Sequence, residues 1–216
     1  MQHEHSRNQA SRLDRLIALL DPRATPPPDM AAKRKLLRAL MNMHPGEGLS
    51  AEFFALQDEE LAEQARERGR VELCHIPPSP RFPQLRLWRG DITRLAVDAI
   101  VNAANAQLLG CFHPLHNCID NIIHSCAGLQ LRAECRLLME AQGHDEPVGR
   151  AKITRAHNLP AKWVIHTVGP IVTGRRPTEL QCRELAGCYR ASLALARDKG
   201  CVLYKSPSPL ASTRYR

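Results

Sequence analysis

The chain has no apolar run that approaches the ~20 residues of a membrane-spanning helix, and its opening, MQHEHSRNQ, is polar. That text argues against a bilayer span and against a secretory signal, and a cytoplasmic location is the expectation. Aromatic residues are scarce, 4% of 216 residues, and no RNA-stacking motif is found among them. A basic stripe is lacking too, although the net charge is +8. Residues 1–84 carry 12 basic and 12 acidic side chains, residues 85–200 carry 15 and 10, and residues 201–216 carry 3 and 0. An excess spread so thinly suits a site for a small anion better than a nucleic-acid groove. In a reducing compartment the eight cysteines point to metal ligation and core packing rather than disulfides. Cys135, Cys182 and Cys188 fall in helix-like text and are read as core.

With 44% hydrophobic residues, there is enough apolar surface for a buried core. The densest chemistry lies in Asn102–Gly128, NAANAQLLGCFHPLHNCIDNIIHSCAG. Cys111, His116 and Cys118 place two soft sulfurs and an imidazole within eight residues. The spacing is too short for a zinc finger, and three ligands would leave a tetrahedral zinc one open position, as catalytic sites do. A fourth ligand from His113, His124 or Cys126 would close the site, and scattered core cysteines with surface histidines are the other explanation.

Three helices are expected first: one carrying Leu13, Leu16, Ile17 and Leu20, one over Met30–Met43, and one capped by Ser50 that buries Phe53, Phe54, Leu56 and Leu61. Asp58 to Arg70 reads as a solvated charged face. Pro77, Pro78, Pro80 and Pro83 mark a linker. Strands are expected at Leu85–Trp88, Leu95–Val101, Lys152–Ala156 and Trp163–Val168. Asn102 and Asn105 then follow a strand end, where carboxamides can meet sugar hydroxyls. Helices follow over Cys118–Cys126 and Leu129–Ala141, bent at Gly128, with Asp120 in the first turn and His124 on the same face. Thr178-x-x-Gln181 is a capping box for a helix burying Leu185, Cys188, Tyr189, Ser192 and Leu193.

GDIT at Gly90–Thr93, VDAIVNAAN at Val97–Asn105 and IDNIIHSCAG at Ile119–Gly128 resemble, in order and spacing, the signature blocks of macrodomains. GCFHPLHNC at Gly110–Cys118 stands where a glycine run is usual, and resembles the zinc-containing branch of microbial macrodomains, the protein-ADP-ribose hydrolases. Lys33–Asn42 and Leu49–Phe53 resemble the helical preamble of that branch. The resemblance implies an α/β fold: a three-layer α/β/α macrodomain with a mixed sheet, preceded by an N-terminal helical extension. The expected divisions are residues 1–76 for the extension, 77–84 for the linker, 85–200 for the domain and 201–216 for an aberrant tail. It implies a hydrolase that removes ADP-ribose from modified protein side chains, with one zinc ion per chain held by Cys111, His116 and Cys118. Its partners would be ADP-ribose and mono-ADP-ribosylated protein, not nucleic acid or membrane. Asp91 and Ile92 match the positions at the adenine end and Asn105 the one facing the distal ribose, while Cys118, Ile119, Asp120 and Asn121 match the segment along the ligand. Asp120 would orient or deprotonate the nucleophile, Asn105 is the second candidate catalytic residue, and Phe112 shapes the pocket. Two alternatives stand beside this: a module that binds ADP-ribose without cleaving it, its zinc structural, and an inactive fragment.

From Cys201 the resemblance fails. CVLYKSPSPLASTRYR stands where an inner strand and a Ser-Thr-Gly loop are due. Pro207 and Pro209 disfavour the strand, Arg214 replaces the glycine after Ser212 and Thr213, and a truncated or shifted reading frame with weak turnover is the expectation.

Overall fold

Leucines recurring every three or four residues turn the first third of the chain into helix. In the computed structural model, which describes residues 2–201 and 204–205 with side chains from residue 7 to 201, α1 spans Gln2–Leu20, α2 Met30–Met43 and α3 Ala51–Arg68. Asp29 and Ser50 cap α2 and α3 by accepting from the N–H groups of Ala32 and Phe53. Leu13, Leu16, Ile17, Leu37, Met41, Phe53 and Leu61 close into a helical core of their own, joined by Leu129.

The charged text from Asp58 to Arg70 is only in part the solvated face expected: Glu59, Arg66, Glu67 and Arg70 are exposed. Glu60 is fully buried and Glu63 nearly so. Arg12 Nη2 and Arg34 Nε reach Glu60 at 2.9 and 2.8 Å, Arg12 also holds Glu63, and Asp58 Oδ1 accepts from Gln130 and Asn158, both at 2.7 Å. The face of α3 turned to α1, α2 and the following domain takes Glu60 and Glu63 inward with it. Its carboxylates tolerate burial because each meets a donor.

Val71–Glu72 forms β1, parallel to β2 at Leu95–Ala96. Leu85–Trp88, expected as a strand, supplies only an isolated bridge between Pro78 and Arg86, and Leu85 and Leu87 are exposed. The facing prolines lack the donors a ladder needs. The main sheet has the order β4-β5-β3-β6, with β3 at Ala99–Ala104, β4 at Ala151–Arg155, β5 at Trp163–Val168 and β6 at Tyr204–Lys205. β5 and β6 run parallel to β3, and β4 runs antiparallel to β5, so the sheet is mixed. The strand expected over Leu95–Val101 is therefore split, and β3 runs on to Ala104. Asn102 lies inside it, fully buried, not beyond its end.

Helices α4 (Ile119–Ala127) and α5 (Leu129–Gln142) cover one face of the sheet and α6 (Glu179–Asp198) the other, which makes three layers. Alternation along the strands sorts the residues: Ile100, Ala104, Val164 and Val168 face α4 and α5, while Ala99, Val101 and Ile165 face α6. Gly128, at φ 94°, joins α4 to α5, and a Cβ there would stand 2.6 Å from Gln57 Nε2 and from Gln130 Oε1. The Thr178–Gln181 capping box forms. The face of α6 turned to the sheet is Cys188, Ser192 and Ala196, while Cys182, Leu185 and Leu193 are exposed, contrary to expectation. Cys182 and Leu193 lie about 120–140° around the helix from Cys188, and Leu185 sits at the margin of the buried stripe. β6 does pair beside β3, where no strand was expected. Ser212, Thr213 and Arg214 lie outside the described residues. Among the described residues no helix is long and apolar enough to cross a membrane.

Candidate functional site

The loop between β3 and α4 opens with a tight turn and ends on a helix cap. Gly110, at φ 76°, packs so closely on His124 that a Cβ would meet its ring at 2.9 Å, so only glycine fits there. Farther on, Leu115 adopts φ 58°, and its N–H is held by Asn42 Oδ1 at 3.0 Å. Cys118 caps α4, its sulfur accepting from Asn121 N at 3.4 Å. Burial pushes the Cys118 thiol up, and that N–H opposes the shift.

These turns bring together the three residues singled out by their spacing. Cys111 Sγ and His116 Nδ1 are 3.4 Å apart, and the donor atoms of Cys111, His116 and Cys118 all lie within 4.8 Å of one another. Tetrahedral zinc with its usual bond lengths needs donors ~3.5–3.8 Å apart, so a small contraction gives a fitting set of two sulfurs and one nitrogen. His116 is exposed and the two cysteines half-buried, which leaves one side open. None of the three candidate fourth ligands joins the trio. The His113 ring centroid is 6.0 Å from that of His116, and His124 and Cys126 are buried along α4.

Asp120, in the first turn of α4, faces the sheet. It is buried, and its Oδ1 accepts from Asn102 Nδ2 at 2.7 Å and lies 3.6 Å from His124 Nε2. Burial raises its carboxyl to about 6, against the opposing pull of the Asn102 hydrogen bond and the Arg132 charge. The same Asn102 amide stands 3.2 Å from His166 Nδ1, and His166 Nε2 lies 2.9 Å from Thr154 Oγ1. That network assigns the ring proton to Nε2. Burial holds His124 and His166 neutral, the latter lowered to about 3. His124, Cys135 and His166 also bring donor atoms within 4.8 Å of one another. Both nitrogens of His166 already have partners, which a metal here would have to displace, while among the described residues neither nitrogen of His124 has a hydrogen-bond partner.

The other expected site residues are placed as follows. Asp91 is exposed, and its Oδ1 caps the Ile92–Arg94 turn by accepting from Thr93 N and Oγ1 at 2.9 and 2.7 Å. Ile92 is buried beneath it. Asn105 is exposed but tied to its own loop, Nδ2 donating to Gly110 O at 3.0 Å and Oδ1 accepting from Gln107 N at 3.1 Å. Asn121 is buried and braces the metal loop, with Nδ2 donating to Cys111 O and His113 O at 3.3 and 3.0 Å. Ile119 packs at the margin of the core. Phe112 is partly exposed, with the Arg132 guanidinium 4.5 Å above its ring.

Sequence reasoning missed the residues that hold the loop from outside. Arg38 Nη2 donates to His116 O at 3.3 Å, and Asn42, one turn later on α2, holds Leu115. Arg132, itself buried, donates to Leu109 O at 2.8 Å and to Met41 O and Asn42 O at 2.9 and 3.0 Å, and also to His44 O. One signal was available for Arg132. It occupies the apolar register of α5 with Leu129, Cys135 and Met139, where an unpaired charge has to have partners.

Comparison with known proteins gives the family. The family model described as Macro domain matches residues 101–208. The chain is 48% identical over 176 residues to the protein-ADP-ribose hydrolase of Treponema medium, covering 81% of this chain and 67% of that protein. It is 45% identical over 162 residues to the protein of the same name from Staphylococcus aureus, covering 75% and 60%. The chain thus spans 67% and 60% of the lengths of these two relatives. Among solved structures, the Trypanosoma brucei macrodomain in complex with ADP-ribose aligns with a TM-score of 0.50 and 32% identity, over 69% of this chain and 64% of that one. With its mixed sheet between helical layers and its signature loop leading into α4, the chain belongs to the macrodomain family.

Proposed function

We propose that the chain is a zinc-dependent hydrolase that removes ADP-ribose from modified protein side chains. The observation that carries this reading is the convergence of Cys111, His116 and Cys118 at the N-terminal end of α4, beside the buried Asp120. The relatives from T. medium and S. aureus bear the name protein-ADP-ribose hydrolase, and the T. brucei macrodomain was solved with ADP-ribose.

The layout suits an extended nucleotide sugar. The Asp91 turn packs against α4, with Thr93 close to Cys126 near its far end. Nine helical residues separate the two ends by about 13 Å, a span that a diphosphate between two riboses can bridge. Asp91 and Ile92 receive the base, the backbone of Cys118–Asn121 follows the diphosphate with its N-terminal N–H groups, and Asn105 faces the distal ribose. Asp120 is chiefly ionised at neutral pH, since about 6 lies below 7. It orients or deprotonates the attacking hydroxyl or water, and Asn102 fixes its carboxylate. Zinc held by Cys111, His116 and Cys118 would supply Lewis acidity toward a ribose hydroxyl or a water. Thiol ligands of this kind belong in a reducing cytoplasm.

One observation favours a second reading, a binding module whose metal serves only structure: Asn105 uses both ends of its carboxamide within the loop, and Asn121 spends its own on loop carbonyls and on Ser125 of α4. Cys118→Ala separates the two. Metal analysis of the wild-type chain is expected to find one zinc, and the variant to lose it. On the hydrolase reading, turnover falls at least about a hundredfold while ADP-ribose affinity and the melting profile persist. Unchanged turnover in the zinc-free variant overturns the zinc-dependent reading, and unfolding of the variant favours the structural one.

A further inference from the structure

A cavity of ≈260 Å³ lies between α2, α3 and α4. Neither Asp91 and Ile92 nor the Cys111, His116 and Cys118 trio is part of its wall. Arg34, Lys35, Arg38 and Arg68 are, with Gln64 and Ser125 as neutral polar neighbours.

Arg34 is already engaged, because Glu60 and Glu67 share its guanidinium. Among the described residues no ion pair involves Lys35, Arg38 or Arg68. Arg38 gives one nitrogen to two neutral oxygens, His116 O at 3.3 Å and Asn121 Oδ1 at 3.5 Å, both long. Its Nε, and that of Arg68, are sealed from solvent and meet no acceptor. Buried N–H donors of this kind are rare because they are costly, and they mark Arg38 and Arg68 as guanidinium groups whose hydrogen-bonding capacity the fold leaves partly unused while both residues line the cavity.

The acceptor that best suits two guanidinium groups and an ammonium is a phosphoryl group, whose oxygens match the planar donor fork. The remaining wall is apolar, with Leu61, Met41 and Ile122, and so suits a compact hydrocarbon body. The volume exceeds what a few waters need, at about 30 Å³ each, and falls below the ~300–1,000 Å³ of drug-sized sites. We propose that this cavity is a second anion site that takes a small phosphomonoester, its oxygens on Arg38 and Arg68, Lys35 at the rim and its apolar body on the floor.

The test is calorimetric titration of phenyl phosphate and of inorganic phosphate into the full chain and into an Arg38→Gln, Arg68→Gln double variant, with melting curves to check the fold. Phenyl phosphate is expected to bind the wild type with salt-dependent affinity and more tightly than inorganic phosphate, and to bind the double variant about tenfold or more weakly. If the double variant melts early, Lys35→Glu at the exposed rim gives the same reading, with an expected weakening of about threefold. Wild type saturated with ADP-ribose is expected to keep its affinity for phenyl phosphate. Absence of binding to the wild type, or equal binding by both variants, overturns the proposal. Loss of binding in the ADP-ribose-saturated protein also overturns it, because the cavity is then part of the nucleotide crevice. If the chain takes no ADP-ribose, the proposed function fails while the phosphate titration still decides this inference.

Discussion

His166 shows what a single residue costs and contributes. It sits in the middle of β5 between Ile165 and Thr167, fully buried, where an aliphatic side chain would bring no desolvation penalty. Its nitrogens instead link Asn102 to Thr154, and Asn102 in turn holds Asp120. Because both buried imidazoles have folded-state pKa values below the unfolded value, the unfolded chain takes up their protons first as the pH falls. The stability contribution of His166 is therefore complete above pH ~6.5 and lost as the pH drops toward about 3, and that of His124, also lowered, falls in the same direction. Asp120 runs the other way. Raised to about 6, it is protonated first in the folded state and offsets one of the two. The net expectation is a loss of stability, on the order of 1 kcal/mol per pH unit, as the pH falls from about 5.5 to 4. Urea midpoints measured across that range check it, with a clearly flatter dependence expected in His166→Gln. A wild-type midpoint that does not move over that window contradicts the network.

At the scale of elements, α2 acts as a clamp on the loop. Arg38 and Asn42 lie four residues apart, so they project from one side of the helix and take hold of adjacent loop groups, His116 O and Leu115 N. Asn42 also donates to Ser125 Oγ at 2.9 Å, tying the loop to α4. Leu115 is held at a positive φ that leucine disfavours, so its one outside bond matters more than usual. Asn42→Ala is expected to lower stability by about 1–3 kcal/mol and, if zinc is bound as proposed, to weaken it about tenfold in chelator competition, with Asn42→Asp restoring much of the loop contact through its carboxylate oxygen. Equal metal retention by Asn42→Ala and wild type would leave the clamp without a role. Local pattern made much of this legible beforehand: Met30–Met43, Trp163–Val168 and the caps at Ser50 and Thr178 follow from periodicity and capping chemistry alone. So did the trio, because its members are neighbours in the chain. Asn42 and Arg38 were not legible, and of Arg132 the register of α5 showed only that it needs partners, not which, since each meets the loop across a fold that one-dimensional spacing does not contain. Leu85–Trp88 misled because its apolar alternation is real, but the prolines opposite deny it a partner.

For the whole molecule, the question is whether the helical extension and the sheet domain stand or fall together. Each has its own apolar core, and hydrogen bonds cross the boundary between them beside the apolar contact of Leu129. Gln57 and Asp58 on α3 bond Leu129, Gln130 and Asn158. Arg132 holds the carbonyls of Met41, Asn42 and His44 at the C-terminal end of α2 while gripping Leu109 O in the loop. One guanidinium thus terminates a helix of the extension and fixes the start of the signature loop, so the two units are expected to unfold as one. Arg132→Met keeps the hydrocarbon volume but leaves those carbonyls without their donor, at a cost of about 3–5 kcal/mol. Its calorimetric trace is expected to broaden or split into two transitions, with the ratio of van't Hoff to calorimetric enthalpy falling below that of the wild type. A variant that still melts in a single sharp transition close to the wild-type temperature would show that the apolar contact of Leu129 with the helical core, and not the arginine, couples the halves.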